Sequence, residues 1–199
     1  MDPRRPLSTF PRLAERLRTT PSRLGNTRLV CVDGPAGSGK TTFAARLAAA
    51  VGPEAVVVQF DELYAGWAIT GAVARLAAGV LRPVAEGRAG AFHPYDWTRN
   101  CFSRVPTPVP ATPVLIVEGC GSGARALAPW CSLLVWVEAP PPLRIARGLA
   151  RDGATLEPEW LRWQGTEAAE FARERTRERA DVRVDGAAAC PGTSYVPLP

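Results

Sequence analysis

Eight residues, Gly34-Pro35-Ala36-Gly37-Ser38-Gly39-Lys40-Thr41, leave this 199-residue chain few folds to adopt. They match the pattern GxxxxGKT, and each position has a physical reason. Glycines let the backbone turn tightly enough for successive N–H groups to point inward and cradle phosphate oxygens. The helix that follows adds its positive N-terminal end. In such a loop the lysine reaches the terminal phosphates and the threonine hydroxyl ligates magnesium. A flexible glycine turn could share the composition, but not the context. Ahead of the loop, Arg28–Asp33 holds Leu-Val-Cys-Val, a strand apolar enough to be buried on both faces. Behind it, Phe43, Leu47 and Val51 share one stripe of an expected helix over Thr41–Val51, stopped by Gly52-Pro53. The candidate nucleotide contacts are Gly34, Ala36, Gly37, Ser38, Gly39, Lys40, Thr41 and Thr42, with ATP and Mg2+ as the implied cofactors.

Charge sharpens this reading. Of 24 basic residues only Lys40 is lysine, and it stands where the motif requires a flexible point charge rather than a planar fork. The net charge of +5 belongs to one end of the chain. Residues 1–28 carry Arg4, Arg5, Arg12, Arg16, Arg18, Arg23 and Arg28 against Asp2 and Glu15, so the remainder is formally neutral. The expectation is a solvated basic extension over residues 1–27, holding a short helix with Phe10, Leu13 and Leu17 and ended by Pro21. Such an arm would be dispensable for catalysis. No basic patch with interleaved aromatics accompanies it, so nucleic acid is not an expected partner. Five cysteines without a CxxC pair suit reduced thiols in a cytoplasmic protein. No apolar run reaches the ~20 residues of a membrane span, and none follows the first arginines as a secretory signal would require. The sequence leaves open whether copies associate as a homo-oligomer.

Strand and helix signals alternate along the rest. Ala55–Phe60, Pro113–Val117 and Leu133–Val137 read as buried strands, with a weaker one at Val182–Val184. Gly71–Glu86, Pro142–Arg151 and Glu157–Arg179 read as helices, and residues 87–113 are too rich in proline and aromatics to assign. This alternation predicts an α/β domain over residues 28–199: a three-layer P-loop fold whose parallel sheet of about five strands is flanked by helices. Ligands of open α/β sheets bind beyond the carboxyl ends of the strands, which makes acids at those ends candidates. Asp61, after the second strand, can accept a proton from an attacking hydroxyl or help hold the metal. Glu62 is the alternative base, and a helix N-cap is the structural reading of Asp61. Glu118 closes the strand Val114-Leu-Ile-Val117, an arrangement suited to magnesium. Glu138, beside the run Pro140–Pro142, reads as a turn acid. Arg144, Arg147 and Arg151 share one face of a helix, either solvated or folded over a transferring phosphoryl group. The Arg/Glu run from Arg162 to Arg179 reads as an ion-paired surface. His93 is the only histidine, which excludes a multi-histidine metal centre. The segment Tyr95-Asp96-Trp97-Thr98-Arg99 could stack on a base and bind a sugar hydroxyl, or pack a loop.

With the glycine loop, Asp61-Glu62-Leu63-Tyr64, Tyr95-Asp96-Trp97 and Glu118-Gly119 placed, residues 28–185 resemble the uridine kinase branch of the P-loop kinases. Within it they resemble the short uridine-kinase-like proteins of high-GC actinobacteria. The resemblance implies Asp61 as base, Tyr64 near the substrate, and Tyr95, Asp96 and Trp97 around a nucleoside, with Arg99 beside them a candidate substrate contact from the residues alone, since the family has a histidine in that stretch. It implies Glu118 with Thr41 and Asp61 at magnesium, and Lys40, Arg147 and Arg151 as the catalytic cations. The implied reaction is ATP-dependent phosphorylation of a small-molecule acceptor, the 5′-hydroxyl of uridine or cytidine. A nucleoside monophosphate, another alcohol, or no small acceptor at all, as in an ATPase or switch, are the alternatives. No Thr/Asn-Lys-x-Asp motif is present to support a GTPase.

Overall fold

In the computed structural model, which describes residues 7–199, six strands form one sheet with helices on both faces. Arg4 and Arg5 of the basic segment lie outside the described residues. The strands are β1 (Arg28–Asp33), β2 (Ala55–Gln59), β3 (Val114–Glu118), β4 (Cys131–Glu138), β5 (Val182–Asp185) and β6 (Pro197–Leu198). Their spatial order is β6-β5-β4-β1-β3-β2. β1 to β5 run parallel, and β6 returns antiparallel along β5. The five expected parallel strands are therefore joined by an antiparallel edge strand. Its two residues are too few for a periodicity, and its proline is tolerated because an edge leaves one side unpaired.

Period-two alternation divides the sheet's side chains between two cores. Val30 and Val32 of β1, Ile116 of β3 and Val135 and Val137 of β4 face α1 (Phe10–Thr19) and α2 (Lys40–Val51). Leu29, Cys31, Leu115, Val117 and Leu134 face α3 (Ala72–Leu76), α4 (Arg82–Ala85) and Trp163. α5 (Pro141–Asp152), α6 (Glu157–Glu174) and α7 (Thr176–Arg179) complete the helical layers. No helix among the described residues is long and apolar enough to cross a membrane.

α1 is docked on the core rather than held out in solvent. The Thr9 hydroxyl caps it by accepting the Arg12 N–H at 3.4 Å. Phe10, Leu13, Ala14 and Leu17 recur at helical spacing and are all buried. The Phe10 ring lies 5.1 Å from Phe43 and 5.3 Å from Tyr195. Ser8–Thr9 adds an antiparallel pairing with Ser194–Tyr195. Arg12, Arg16 and Arg18 stay on the exposed face, so the basic charge is solvated while the helix beneath it is not.

Several boundaries move. β2 stops at Gln59, and Phe60–Leu63 is a 3-10 turn. The helix expected over 71–86 widens to a π turn at Ala77–Leu81 between α3 and α4. Pro83 explains it, since a proline lacks the N–H and crowds the carbonyl four residues back. That carbonyl belongs to Gly79, whose missing Cβ would also lie 2.4 Å from the Ala91 oxygen. The unassigned stretch holds two short antiparallel pairs, Gly90–Phe92 with Thr107–Val109 and Tyr95–Asp96 with Cys101–Phe102. The last long helix breaks at Arg175, which takes a left-handed conformation (φ 51°) between α6 and α7.

Candidate active site

β1 and β2 both register on β3, with Val32 and Gln59 each opposite Glu118. The glycine loop after β1, the turn after β2 and the acid ending β3 therefore emerge at one level of the sheet's carboxyl edge. Gly37 (φ 75°) and Gly39 (φ 102°) sit in left-handed conformations inside the loop. A Cβ on Gly37 would also lie 2.4 Å from the Arg144 carbonyl oxygen, so α5 presses directly on the loop.

Lys40 opens α2 and is buried, its Nζ donating to the Pro35 carbonyl at 2.9 Å and lying 3.6 Å from Cys120 Sγ. Burial alone would lower its pKa, but Cys120, Glu118, Asp33 and Glu167 together hold it above the ordinary lysine value. Burial pushes the Cys120 thiol up to about 12, with Lys40 opposing the rise. Thr41 Oγ1 donates to Glu118 Oε1 at 2.9 Å. Burial raises the Glu118 carboxyl above its usual range while Lys40 pulls it back. Asp61, on the 3-10 turn, behaves alike: burial raises it, and Lys40 and then Arg151 oppose that rise. Glu62 is raised by burial and by Asp61, with no cation acting on it. The two neighbouring acids thus face different fields. These residues fit a magnesium nucleotide. A protonated lysine, a hydroxyl–carboxylate oxygen pair and the buried Ser38 Oγ, which has no hydrogen-bond partner among the described residues, converge on one loop.

The three arginines of α5 separate. Arg144 is buried and pairs with Glu167 of α6 at 2.6 Å. Arg147 donates to the carbonyls of Gly37 at 3.2 Å and Gly186 at 3.0 Å. Arg151 grips Asp152 through two bonds of 2.6 and 2.9 Å, beside the Trp160 ring. A cavity of about 270 Å3 opens next to the loop, with Thr42, Arg46, Arg147, Gly186, Phe10 and Tyr195 in its walls.

On the Asp61 side, aromatic rings run outward in edge or tilted contacts. Phe60 and Tyr64 lie 5.7 Å apart, Tyr64 and Trp163 5.5 Å, Trp163 and Trp67 5.7 Å, and Trp67 and Trp97 5.7 Å. Tyr95 then joins Trp97 at 5.5 Å and Phe102 at 5.2 Å. Trp67 and Trp97 are 40% and 42% exposed, enough ring surface to stack on a ligand. Tyr64 is a wall instead of a free hydroxyl, since it is buried and its OH donates to the Cys120 carbonyl at 2.5 Å. Asp96 and Arg99 belong to one tight turn. Asp96 Oδ1 accepts from the N–H groups of Thr98 (3.0 Å) and Arg99 (2.9 Å), and Arg99 extends into solvent 3.6 Å from Asp96. Both fasten their own turn.

Three buried groups escaped sequence reasoning. Asp33 accepts from the N–H groups of Gly34 (2.7 Å), Gly121 (2.8 Å) and Gly123 (2.9 Å), stitching the glycine loop to the segment after Glu118. Burial raises its carboxyl to about 6. It carries the same signal as Glu118, an acid closing an apolar strand. Cys120 is the second, its Sγ 3.2 Å from the Gly34 carbonyl. Glu167 is the third, and its signal was its position four and seven residues beyond Trp163 and Trp160, on the apolar stripe of α6. Glu138 does serve structure, receiving Arg177 at 2.7 Å and Trp136 Nε1 at 2.6 Å. The surface arginines Arg162 and Arg173 pair with Glu159 and Glu170.

No family model matches the chain, and no curated protein matches it by sequence. Solved structures do. One is a possible uridine kinase from Bacillus stearothermophilus, 18% identical with a TM-score of 0.64, covering 87% of this chain and 96% of that one. Another is a candidate fructose transport system kinase from Silicibacter sp. TM1040, 20% identical with a TM-score of 0.50, covering 87% and 95%. At these identities the likeness is one of architecture: the chain has the α/β fold of the P-loop kinases.

Proposed function

We propose that this chain is an ATP-dependent phosphotransferase whose residues 28–199 form the catalytic domain and whose acceptor is the hydroxyl of a small molecule, most specifically a pyrimidine nucleoside 5′-OH. The observation that carries the reading is the convergence of Lys40, the Thr41–Glu118 pair and Asp61 on one edge of the sheet, with a partly exposed aromatic wall beside Asp61. When bound, Mg-ATP supplies the phosphoryl group and a cation that spreads its charge. Lys40, held protonated, and the loop N–H groups retain the phosphates. Thr41 Oγ1 and Glu118 hold the cation, with Asp61 close enough in charge to assist. Asp61 would orient the acceptor hydroxyl and take its proton during transfer, with ADP as the leaving group. Arg147 and Arg151 neutralise charge on the group in transit. The cavity beside Thr42 and Arg147 offers room for the base end of the nucleotide.

The turn around Asp96 bears on the acceptor. A phosphorylated acceptor needs a second anion site, and Arg99 is solvent-exposed and paired with Asp96. A neutral acceptor stacked on Trp67 or Trp97 suits the wall better. The test is ADP release from Mg-ATP with nucleosides, nucleoside monophosphates and polyols offered in turn. Release stimulated by nucleosides supports the assignment. Stimulation by monophosphates alone moves it to a nucleotide kinase, and release indifferent to every acceptor moves it to an ATPase.

A further inference from the structure

Ala36 has both backbone groups held by side chains from elsewhere in the fold. Its N–H donates to Glu167 Oε2 at 2.7 Å, and its carbonyl accepts from an Arg144 guanidinium nitrogen at 3.4 Å. Those two side chains pair with each other at 2.6 Å and are 3% (Glu167) and 10% (Arg144) exposed. Arg144 Nε is also engaged, by the Ala139 carbonyl at 3.1 Å. The cluster therefore joins three separate pieces of chain: the glycine loop, α5 and α6. Stability is a weak reason for it, because a buried ion pair is often no better than well-packed apolar residues of the same volume. An apolar pair, though, cannot accept from a backbone N–H while donating to the carbonyl of the same residue. One turn along α5, Arg147 binds the Gly37 carbonyl, and the Arg144 backbone fills the space a Gly37 side chain would need.

We propose that Glu167, acting with Arg144, is a positioning residue that fixes the Ala36 peptide and so sets the register of the phosphate loop against α5, the helix carrying Arg147 and Arg151. Its consequence for nucleotide binding rests on the phosphotransferase reading above. With the Ala36 N–H committed to Glu167, phosphate binding falls to the N–H groups from Gly37 onward. Arg144 neutralises the carboxylate, so Glu167 can sit beside an anion site without repelling the anion.

The test uses the full chain with Arg144→Met and Glu167→Leu combined, which removes both charges at similar volume. The melting temperature should stay near wild type, because such apolar replacements are often neutral or stabilising. Hydrogen exchange over residues 34–41, without nucleotide, should quicken while the middle of α2 stays protected. The calorimetric Kd for Mg-ATP should rise on the order of tenfold, as expected when charge-assisted hydrogen bonds that preorganise a site are lost. Arg144→Met combined with Glu167→Gln, which removes the cation and keeps an acceptor for the Ala36 N–H, should restore slow exchange and bring affinity back within about threefold of wild type. Unchanged exchange in the double variant overturns the proposal whatever the nucleotide does. Tighter or unchanged Mg-ATP binding also overturns it, and tighter binding would show Glu167 competing with phosphate for Ala36. A loosened loop in a protein whose wild type binds no Mg-ATP leaves the clamp standing and removes the phosphotransferase reading instead.

Discussion

Replacing Phe10 by alanine tests whether α1 belongs to the folded core. The ring is 2% exposed and sits in edge contact with Phe43 of α2 and at a tilt against Tyr195 of the C-terminal segment. Its removal deletes a buried aromatic from a three-ring cluster that joins both ends of the chain. Buried Phe→Ala changes cost about 3–5 kcal/mol, through lost transfer energy and the cavity left behind. For a domain of this length each kcal/mol lowers the melting temperature by roughly 2–4 °C, which predicts a fall of about 6–20 °C. Arg12→Ala, on the exposed face of the same helix, is the control and should shift it by less than about 2 °C. Calorimetric melting of both variants reads the result. Deleting residues 1–20 should be worse still, because Leu13 and Leu17 leave with Phe10. A Phe10→Ala melt within about 2 °C of wild type would refute the docking of α1 and restore the solvated arm.

Asp61→Asn should lower kcat about 10²–10⁴-fold in single-turnover transfer with ATP affinity changed no more than roughly threefold, whereas Glu62→Gln should leave both near wild type; the reverse would name Glu62 as the base. Thr41→Val removes the hydroxyl that faces Glu118, so the magnesium concentration giving half-maximal activity should rise on the order of tenfold, while an unchanged requirement would place the cation elsewhere. Asp33 predicts a pH dependence of stability. Its folded carboxyl keeps its proton up to about 6 while the unfolded one ionises near 3.8, so this group makes the fold less stable as pH rises through that window. The loss levels off above it at about 3 kcal/mol. Denaturant titrations of wild type and Asp33→Asn should therefore diverge between about pH 4 and 6 and run parallel above, and parallel curves throughout would count against a raised Asp33.

The loop and its flanking elements were legible because one motif, one buried strand and one amphipathic stripe agreed. Asp61 and Glu118 followed from the rule that parallel strands deliver ligands' partners at their carboxyl ends. What stayed hidden depended on contacts between residues far apart in sequence. Phe10, Leu13 and Leu17 announced a helix, yet nothing local told that α2 and Tyr195 leave a groove for it. Glu167 looked like one more acid in an Arg/Glu-rich helix, and only the approach of α5 turns it toward Ala36, 131 residues away. Asp96 and Arg99 mark the opposite limit. Their residue types suit a sugar and an anion, but the tight turn between two short strands uses the carboxylate to satisfy its own N–H groups. Such local hydrogen bonding leaves no trace in composition.

The proposed reaction moves a phosphoryl group to a small hydroxyl through the loop lysine. It is tested most directly by single-turnover transfer of labelled γ-phosphate from Mg-ATP, in wild type and in Lys40→Ala, with and without the best acceptor from the screen. Label should reach the phosphorylated acceptor in wild type, with Lys40→Ala slower by about 10²-fold or more while melting as a folded protein. Transfer by Lys40→Ala at the wild-type rate, or label that reaches only inorganic phosphate whether or not an acceptor is present, would contradict it.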